Sequence, residues 1–472
     1  MEILPQAGLE PDQLTSMRSL VPPFTPQDGC STPDILPPEL LALIFIFAQA
    51  VDKRVSRKVP FEVQLSHVSR RWREVALTTP ALWTNISITS RKSKKWVGSY
   101  LQRSGCLPLC IFIDIYEWDK KKPSMFKPAF TKQIYDQISA HLWRVRKLSI
   151  FCYLNSTASL MQSQFIGAPT PMLESFSVNC DDAPLNFPPA TDSVQIFSGG
   201  SPKLTFVDTS SIDLLNPSVG LQNVTTLFIH LNHSKLSYPQ LVALLTGPKS
   251  LVNVSITGFS DTLRRTWPVH SIHHDASFVL PSLKSLRLIS SGELATRLLL
   301  SISAPTLESL WLDSSFNHFP TFFGAPQMAH ALGRAVKFQT VQYLTLREYN
   351  LREVSGVARA FPDITHLHLL HASYSNPSLL TAALSTSWHR LHSLVFTIGR
   401  VLHWDEISNE LSSILPERSE AGYPIQNLIL DRDFRKKLEE YIPGLSNLAT
   451  IVDLGPETYR EPWWNNEIGE PL

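Results

Sequence analysis

Ala304-Pro-Thr-Leu-Glu-Ser-Leu-Trp-Leu-Asp313 sets the reading of most of the chain. Leu307, Leu310 and Leu312 follow the spacing apolar-x-x-apolar-x-apolar, and the last two, two residues apart, fall on one side of a strand. The spacing returns at Val145/Leu148/Ile150, Leu173/Phe176/Val178, Val224/Leu227/Ile229, Leu251/Val254/Ile256 and Leu283/Leu286/Leu288. It continues at Val341/Leu344/Leu346, Ile364/Leu367/Leu369, Leu391/Leu394/Phe396 and Ile425/Leu428/Leu430, with weaker copies at Leu204/Val207 and Leu448/Ile451. Copies start roughly 20 to 34 residues apart, the range of short solenoid repeats. A proline often precedes the unit, as in Leu-Pro-Ser-Leu283 and Phe-Pro-Asp-Ile364. One unit cannot bury its own apolar edge, so stacked copies are expected to form a continuous parallel sheet with a shared core.

Upstream, Thr84–Ile88 alternates as a strand, Ser90–Gly105 reads as a helix with Trp96, Tyr100 and Leu101 on one side, and Leu107–Ile115 reads as a second strand. A helical stretch over Phe130–Trp143 leads into the copy at Val145. Strands alternating with helices favour parallel pairing, because each helix carries the chain back.

The front of the chain has a different grammar. Leu36-Pro-Pro-Glu-Leu-Leu-Ala-Leu-Ile-Phe45 places Leu40, Leu41, Ile44, Phe45, Ala48 and Val51 at helical offsets. Pro38 suits the first helical position and Glu39 complements the positive helix end. Leu65, Val68, Trp72, Val75 and Ala76 share a second helical face. In Thr79-Pro-Ala-Leu-Trp83, Thr79 is the expected N-cap of a third short helix that buries Leu82 and Trp83.

Three short apolar helices closing on a tryptophan resemble the F-box family. The resemblance rests on Leu36-Pro37, Glu39-Leu40-Leu41, Ile44-Phe45, Val68, Arg71-Trp72-Arg73, Ala76 and Leu82-Trp83, roughly fifty of the 472 residues. Ser69 stands where the family often has cysteine, and Asp52–Pro60 makes a longer, basic linker. The downstream region resembles degenerate leucine-rich repeats. It lacks most of the Asn or Cys residues expected after the strand; Asn179, Asp313 and Asp431 stand nearest that place. The combination, with Leu101-Gln-Arg-Ser-Gly-Cys-Leu-Pro-Leu109, resembles a large family in mushroom-forming fungi.

The expected fold is therefore α/β: a three-helix F-box followed by an irregular leucine-rich-repeat-like solenoid with a parallel sheet. The expected domains are a disordered tail at 1–32, the F-box at 33–84, the solenoid at 85–455 and a cap or tail at 456–472. A single helical turn is expected near Asp12–Leu20.

A formal net charge of +1, from 42 basic and 41 acidic residues, gives no reason to expect nucleic acid or an anionic membrane as partner. The 5 cysteines show no paired C-x-x-C, so neither a disulfide framework nor a zinc site is expected. The N-terminus lacks the basic and apolar parts of a signal peptide, and the run Leu40–Val51 is too short to span a bilayer. A cytoplasmic or nuclear protein is the expectation.

Chemistry has few candidates. No phosphate-binding glycine loop, nucleophile elbow or H-E-x-x-H is present. His273-His274-Asp275 is read as an irregular insertion rather than a metal site, and Asp181-Asp182 as a turn. No cofactor and no catalysis are expected.

Binding has named candidates. Residues between and just after the inward repeat positions are expected to line the exposed, concave sheet face: Phe228, His230, Arg287, Trp311, Asp313, Tyr343, Arg347, His366 and His368. Aromatic and arginine side chains of this kind make partner-binding surfaces. The resemblance implies that Leu36, Pro37, Leu40, Leu41, Ile44, Leu65, Val68, Trp72, Val75, Leu82 and Trp83 dock a Skp-type adaptor subunit, and through it a cullin-RING scaffold. The repeats would then hold an unknown protein client for ubiquitination. The alternative from another class is a repeat scaffold or binding protein outside a ubiquitin ligase.

Overall fold

The computed structural model describes residues 36–51, 59–89, 94–114, 128–152, 165, 167–180, 197, 199–210, 220–232, 236–258, 260–268, 278–290, 292–313, 338–347, 354–372, 384–385, 387–398, 404–430, 432, 435–436, 438 and 445–454. The expected tail, the turn at Asp12–Leu20, linker residues 52–58, Asp181-Asp182, His273-His274-Asp275, Asp431 and the 456–472 cap lie outside them. Two compact units are present. The first takes residues up to Thr84 together with Tyr100–Leu107; the second takes Asn85–Ser99 and Pro108 onward.

The first unit contains α1 (Pro38–Val51), α2 (Phe61–Leu65), α3 (Arg70–Thr78) and a 3-10 turn over Pro80–Trp83. α1 starts on Pro38 as expected, with Glu39 in its first turn. Ser69 caps α3: its side chain accepts a hydrogen bond from the Trp72 backbone N–H at 3.1 Å. Thr79 does not cap the 3-10 turn. Its hydroxyl instead donates back to the Val75 carbonyl at 2.6 Å, closing the end of α3. α4 (Lys94–Arg103) supplies its last turn to this unit, and Gly105, at φ 56, stops the helix in a left-handed conformation that only glycine adopts freely.

The second unit is built on strands β1 (Asn85–Ile88), β2 (Leu109–Asp114), β3 (Val145–Cys152), β4 (Ser175–Cys180), β5 (Phe206–Thr209), β6 (Thr226–His230) and β7 (Asn253–Thr257). They are followed by β8 (Phe278–Val279), β9 (Ser285–Ile289), β10 (Ile302–Ser303), β11 (Ser309–Asp313), β12 (Tyr343–Arg347), β13 (His366–Ala372), β14 (Ser393–Ile398), β15 (Asn427–Leu430) and β16 (Thr450–Asp453). Among the described residues, all but β8 and β10 join one 14-stranded sheet in chain order. The neighbouring strands pair in parallel. β8 and β10 pair only with each other. Crossovers carry helices between several strands: α5 (Pro128–Ser139), α6 (Tyr238–Thr246), α7 (Asp261–Thr266), α8 (Gly292–Ser301), α9 (Val354–Ala360), α10 (Trp404–Glu420) and α11 (Leu445–Leu448).

Each copy of the repeat spacing is a strand, and the register stacks like on like. One row runs Ile86, Ile111, Leu148, Phe176, Val207, Leu227, Val254, Leu286, Leu310, Leu344, Leu367, Leu394, Leu428 and Ile451. A second row, two residues on, includes Ile150, Val178, Ile229, Ile256, Leu288, Leu312, Leu346, Leu369 and Phe396, with Thr209 as its one polar interior member. From Ile86 to Leu430 these apolar side chains are almost wholly removed from water. Each such burial stabilises by about 1.5–3 kcal/mol, before the cost of ordering the chain is set against it. Helices add buried side chains such as Tyr238, Leu241, Leu244, Leu298, Leu299, Leu411 and Ile414.

Threonine hydroxyls tie one copy to the next: Thr306 donates to the Leu283 carbonyl at 3.0 Å and Thr340 to the Leu307 carbonyl at 2.8 Å. Arg418 on α10 is buried, donating to the carbonyls of Leu384, Ser387 and Trp388. The Trp388 indole N–H in turn donates to the Phe361 carbonyl at 2.8 Å.

Candidate partner-binding surfaces

α1 is apolar nearly all round, so its pattern alone does not say which side faces in. At about 100° per residue, Leu40, Leu43, Ile44, Phe47 and Val51 fall within one stripe about 100° wide. All five are exposed, from 48% at Leu40 to 70% at Phe47 and 79% at Val51. Leu41 and Phe45 lie on the other side and are buried. The shared face expected of Leu40, Leu41, Ile44, Phe45 and Val51 thus divides in two. A similar division occurs next along the chain. α2 ends at Leu65 and α3 begins at Arg70, so Val68 lies in the turn between them and is 60% exposed.

The inward half makes a small core. Leu65, Val75, Ala76, Leu82 and Trp83 are buried there. Trp72 is half-buried, its ring 4.8 Å from that of Phe45. The Trp83 indole N–H donates to the Ala76 carbonyl at 2.8 Å. Tyr100 meets the Trp83 ring edge-on at 4.9 Å, and the Arg103 guanidinium lies over it at 4.4 Å. Leu36, half-buried, contributes its carbonyl, which accepts from Arg71.

A polar chain runs behind α1. The Gln49 side-chain amide donates to Glu62 Oε2 and to the Leu82 carbonyl, both at 3.1 Å. Glu62 is buried, and its Oε1 accepts from the Tyr100 hydroxyl. Burial, followed by the charge of Glu62, holds the Tyr100 hydroxyl well above the usual phenol range, so it stays protonated and donating.

Residues 34–89 match the family model described as F-box-like. Residues 34–89 are an F-box-like domain. Comparison with curated proteins returns no match for the chain.

Of the residues that the resemblance assigns to docking, Pro37, Leu40, Ile44 and Val68 are on the surface of the F-box-like domain, and Leu36 and Trp72 are half-buried. Leu41, Leu65, Val75, Leu82 and Trp83 are core side chains whose contribution to any contact is to hold the others in place. Leu43 and Phe47 were not singled out by the sequence and are exposed in the same stripe. Their signal was present, since both repeat at helical spacing with Leu40 and Ile44.

On the second unit, the register places the other candidates on the sheet face opposite the buried rows. Phe228, Arg287, Trp311 and His368 lie in one cross-strand row with Ser255 and Thr345. Tyr343 and His366 are neighbours in a second row, their rings stacked at 4.4 Å. His230, Asp313 and Arg347 lie two residues beyond that first row.

Exposure of this face is uneven, which corrects the expectation of an open surface. Tyr343 is exposed and Phe228, His230, Arg287, His366 and Arg347 are partly so. Trp311, however, is only 5% exposed, and with Leu370 and Val395 it forms a cluster against which Ile289, Ile429 and Leu454 pack. Asp313 is fully buried, 3.5 Å from Arg347 Nη1. The Arg287 guanidinium stacks over Trp311 at 4.7 Å. Trp311 is therefore a core residue on this side, not a surface anchor.

Two polar groupings share this face. Asp208 on β5 accepts from Ser177 at 3.0 Å and Asn179 at 3.2 Å, and its other oxygen lies 2.9 Å from His230 Nε2. Asn179, the nearest approach to the repeat asparagine, thus bonds a side chain of the next strand. Around β13, His368 lies 3.3 Å from the Thr345 hydroxyl, and burial, then the neighbouring His366, pushes it down to about 4. His366 is lowered too, by burial and then by His392. Both rings are neutral at pH 7. Among the described residues no cluster of His, Cys, Asp or Glu has metal-site geometry, and no helix is long and apolar enough to cross a membrane.

Proposed function

We propose that this protein is a substrate-recognition subunit of an SCF-type cullin-RING ubiquitin ligase, itself without catalytic activity and acting in the cytoplasm or nucleus. The reading is carried by the exposed apolar stripe Leu40, Leu43, Ile44, Phe47 and Val51 on a domain that matches the F-box-like model. An apolar patch of this kind marks an interface, and F-box domains generally bind Skp-type adaptors. In this reading the second unit is a degenerate leucine-rich-repeat solenoid of the fungal type. It holds a protein client with its concave sheet face, through exposed Tyr343 and the partly buried Phe228, His230, Arg287, Arg347, His366 and His368, and raises the effective concentration of client lysines near the conjugating enzyme.

Co-purification with a Skp-type adaptor tests the reading. The full chain is expected to hold the adaptor at sub-micromolar affinity, and Phe47→Asp to abolish binding without unfolding the protein. A wild-type chain that ignores the adaptor leaves the alternative, a repeat scaffold outside a ligase.

A further inference from the structure

Gln49 lies about 180° around α1 from the middle of the exposed stripe. Its two amide hydrogens are both used, one on Glu62 of α2 and one on the Leu82 carbonyl of the 3-10 turn. Bonds to two separate elements, made from the back of a helix, fix its roll about its own axis. A roll of about 20° moves a side-chain tip at about 5–6 Å from the axis by about 2 Å, enough to spoil packing against a shaped partner.

Glu62 is the pivot. A carboxylate buried to 5% exposure is tolerated only when its oxygens are hydrogen-bonded. One oxygen takes Gln49 and the other takes Tyr100, which lies beyond the 34–89 match. Tyr100 is itself pinned by its edge-on contact with Trp83, and its hydroxyl is kept in the donor state by burial.

We propose that Glu62 and Tyr100 are positioning residues for partner docking: a hydrogen-bonded chain Tyr100–Glu62–Gln49 sets the roll of α1 and hence the presentation of Leu40, Leu43, Ile44, Phe47 and Val51. The docking module then extends to Tyr100–Leu107 rather than ending with the matched domain. The partner is the Skp-type adaptor, so this inference rests on the function proposed above.

The test uses the full chain, a purified Skp-type adaptor, and hydrogen exchange read peptide by peptide. Tyr100→Phe keeps the ring on Trp83 and removes only the donor. It is expected to weaken adaptor binding about tenfold and to speed exchange in Pro38–Val51, leaving Leu307–Asp313 as in wild type. Glu62→Gln replaces the charge-assisted bonds of a carboxylate with weaker neutral ones and is expected to weaken binding by a smaller factor. Unchanged exchange in Pro38–Val51 and unchanged affinity in Tyr100→Phe overturn the proposal. So does a uniform loss of protection over Pro38–Thr78, which makes Tyr100 merely structural. If the wild-type chain binds no adaptor while Tyr100→Phe still loosens Pro38–Val51 selectively, the ligase reading falls and the positioning chain stands.

Discussion

The F-box-like domain and the second face of the large sheet treat apolar side chains in opposite ways. The domain puts five of them on water along one helix, including Phe47 and Val51. The sheet hides its most apolar ones, Trp311, Leu370 and Val395, on the face that a strand pattern leaves for solvent. Size explains part of the contrast. Three short helices and a turn have little interior, and Leu41, Phe45, Leu65, Val75, Leu82 and Trp83 already occupy it. The remaining large side chains have nowhere inside to go. An extended sheet has area enough to cover a second cluster and still leave Tyr343 exposed. Surface apolarity on the small unit is thus a forced expenditure that calls for a partner.

Substitutions sharpen this contrast by separating stability from binding. The largest expected effect is Trp83→Ala, which removes a fully buried ring, its bond to Ala76 and the support of Tyr100 and Arg103. About 3–5 kcal/mol should be lost, read as an earlier urea midpoint for the unfolding of the front unit. Leu310→Ala, in the middle of a buried row, should cost about 2–5 kcal/mol in the transition of the sheet unit. If Trp83→Ala is neutral, the division between core and surface within the F-box-like domain is wrong.

Acid sets a further difference. His368 has its pKa lowered to about 4 in the fold, against a free value near 6.5. Protonation therefore favours unfolding: the contribution of neutral His368 is complete above about pH 6.5 and is lost as pH falls towards 4. The loss is on the order of 3 kcal/mol and should appear as a falling thermal midpoint of the sheet unit over that window. His368→Gln should flatten the fall, and a variant that leaves it unchanged removes this histidine from the account.

The smallest effect on stability is expected from Phe47→Asp. At 70% exposure the ring contributes little internally, and the change should stay within about 0.5 kcal/mol while adaptor binding disappears. A large destabilisation by Phe47→Asp would mean that the exposed stripe packs inside the protein after all.

Legibility in the sequence followed locality. The parallel sheet was readable because each strand announces itself with apolar residues two apart, and like positions align across the register from Ile86 to Leu430. The front helices were readable from their offsets and prolines. The sidedness of α1 was not, because Leu40–Phe47 is so evenly apolar that helical period cannot separate Leu41 and Phe45 from Leu40 and Ile44. Burial of Trp311 depends on residues from other strands, Leu370 and Val395, which no local pattern brings together. The Gln49–Glu62–Tyr100 chain was invisible for the same reason: its members lie 13 and 38 residues apart.

The aligned rows of the sheet also set rules for how such a protein can change. A single inserted residue within a strand would turn the rest of that strand's inward side chains to the wrong face, so the strands refuse it. A whole copy, by contrast, brings its own Leu, its own strand and its own crossover, and lengthens the sheet by one spacing of about 4.8 Å. Between strands the connections differ in length, 29 residues from Asp313 to Tyr343 against 19 from Ile289 to Ser309, while the rows stay in register. The sheet works as a ruler graduated in strands: its length and its edges can drift independently.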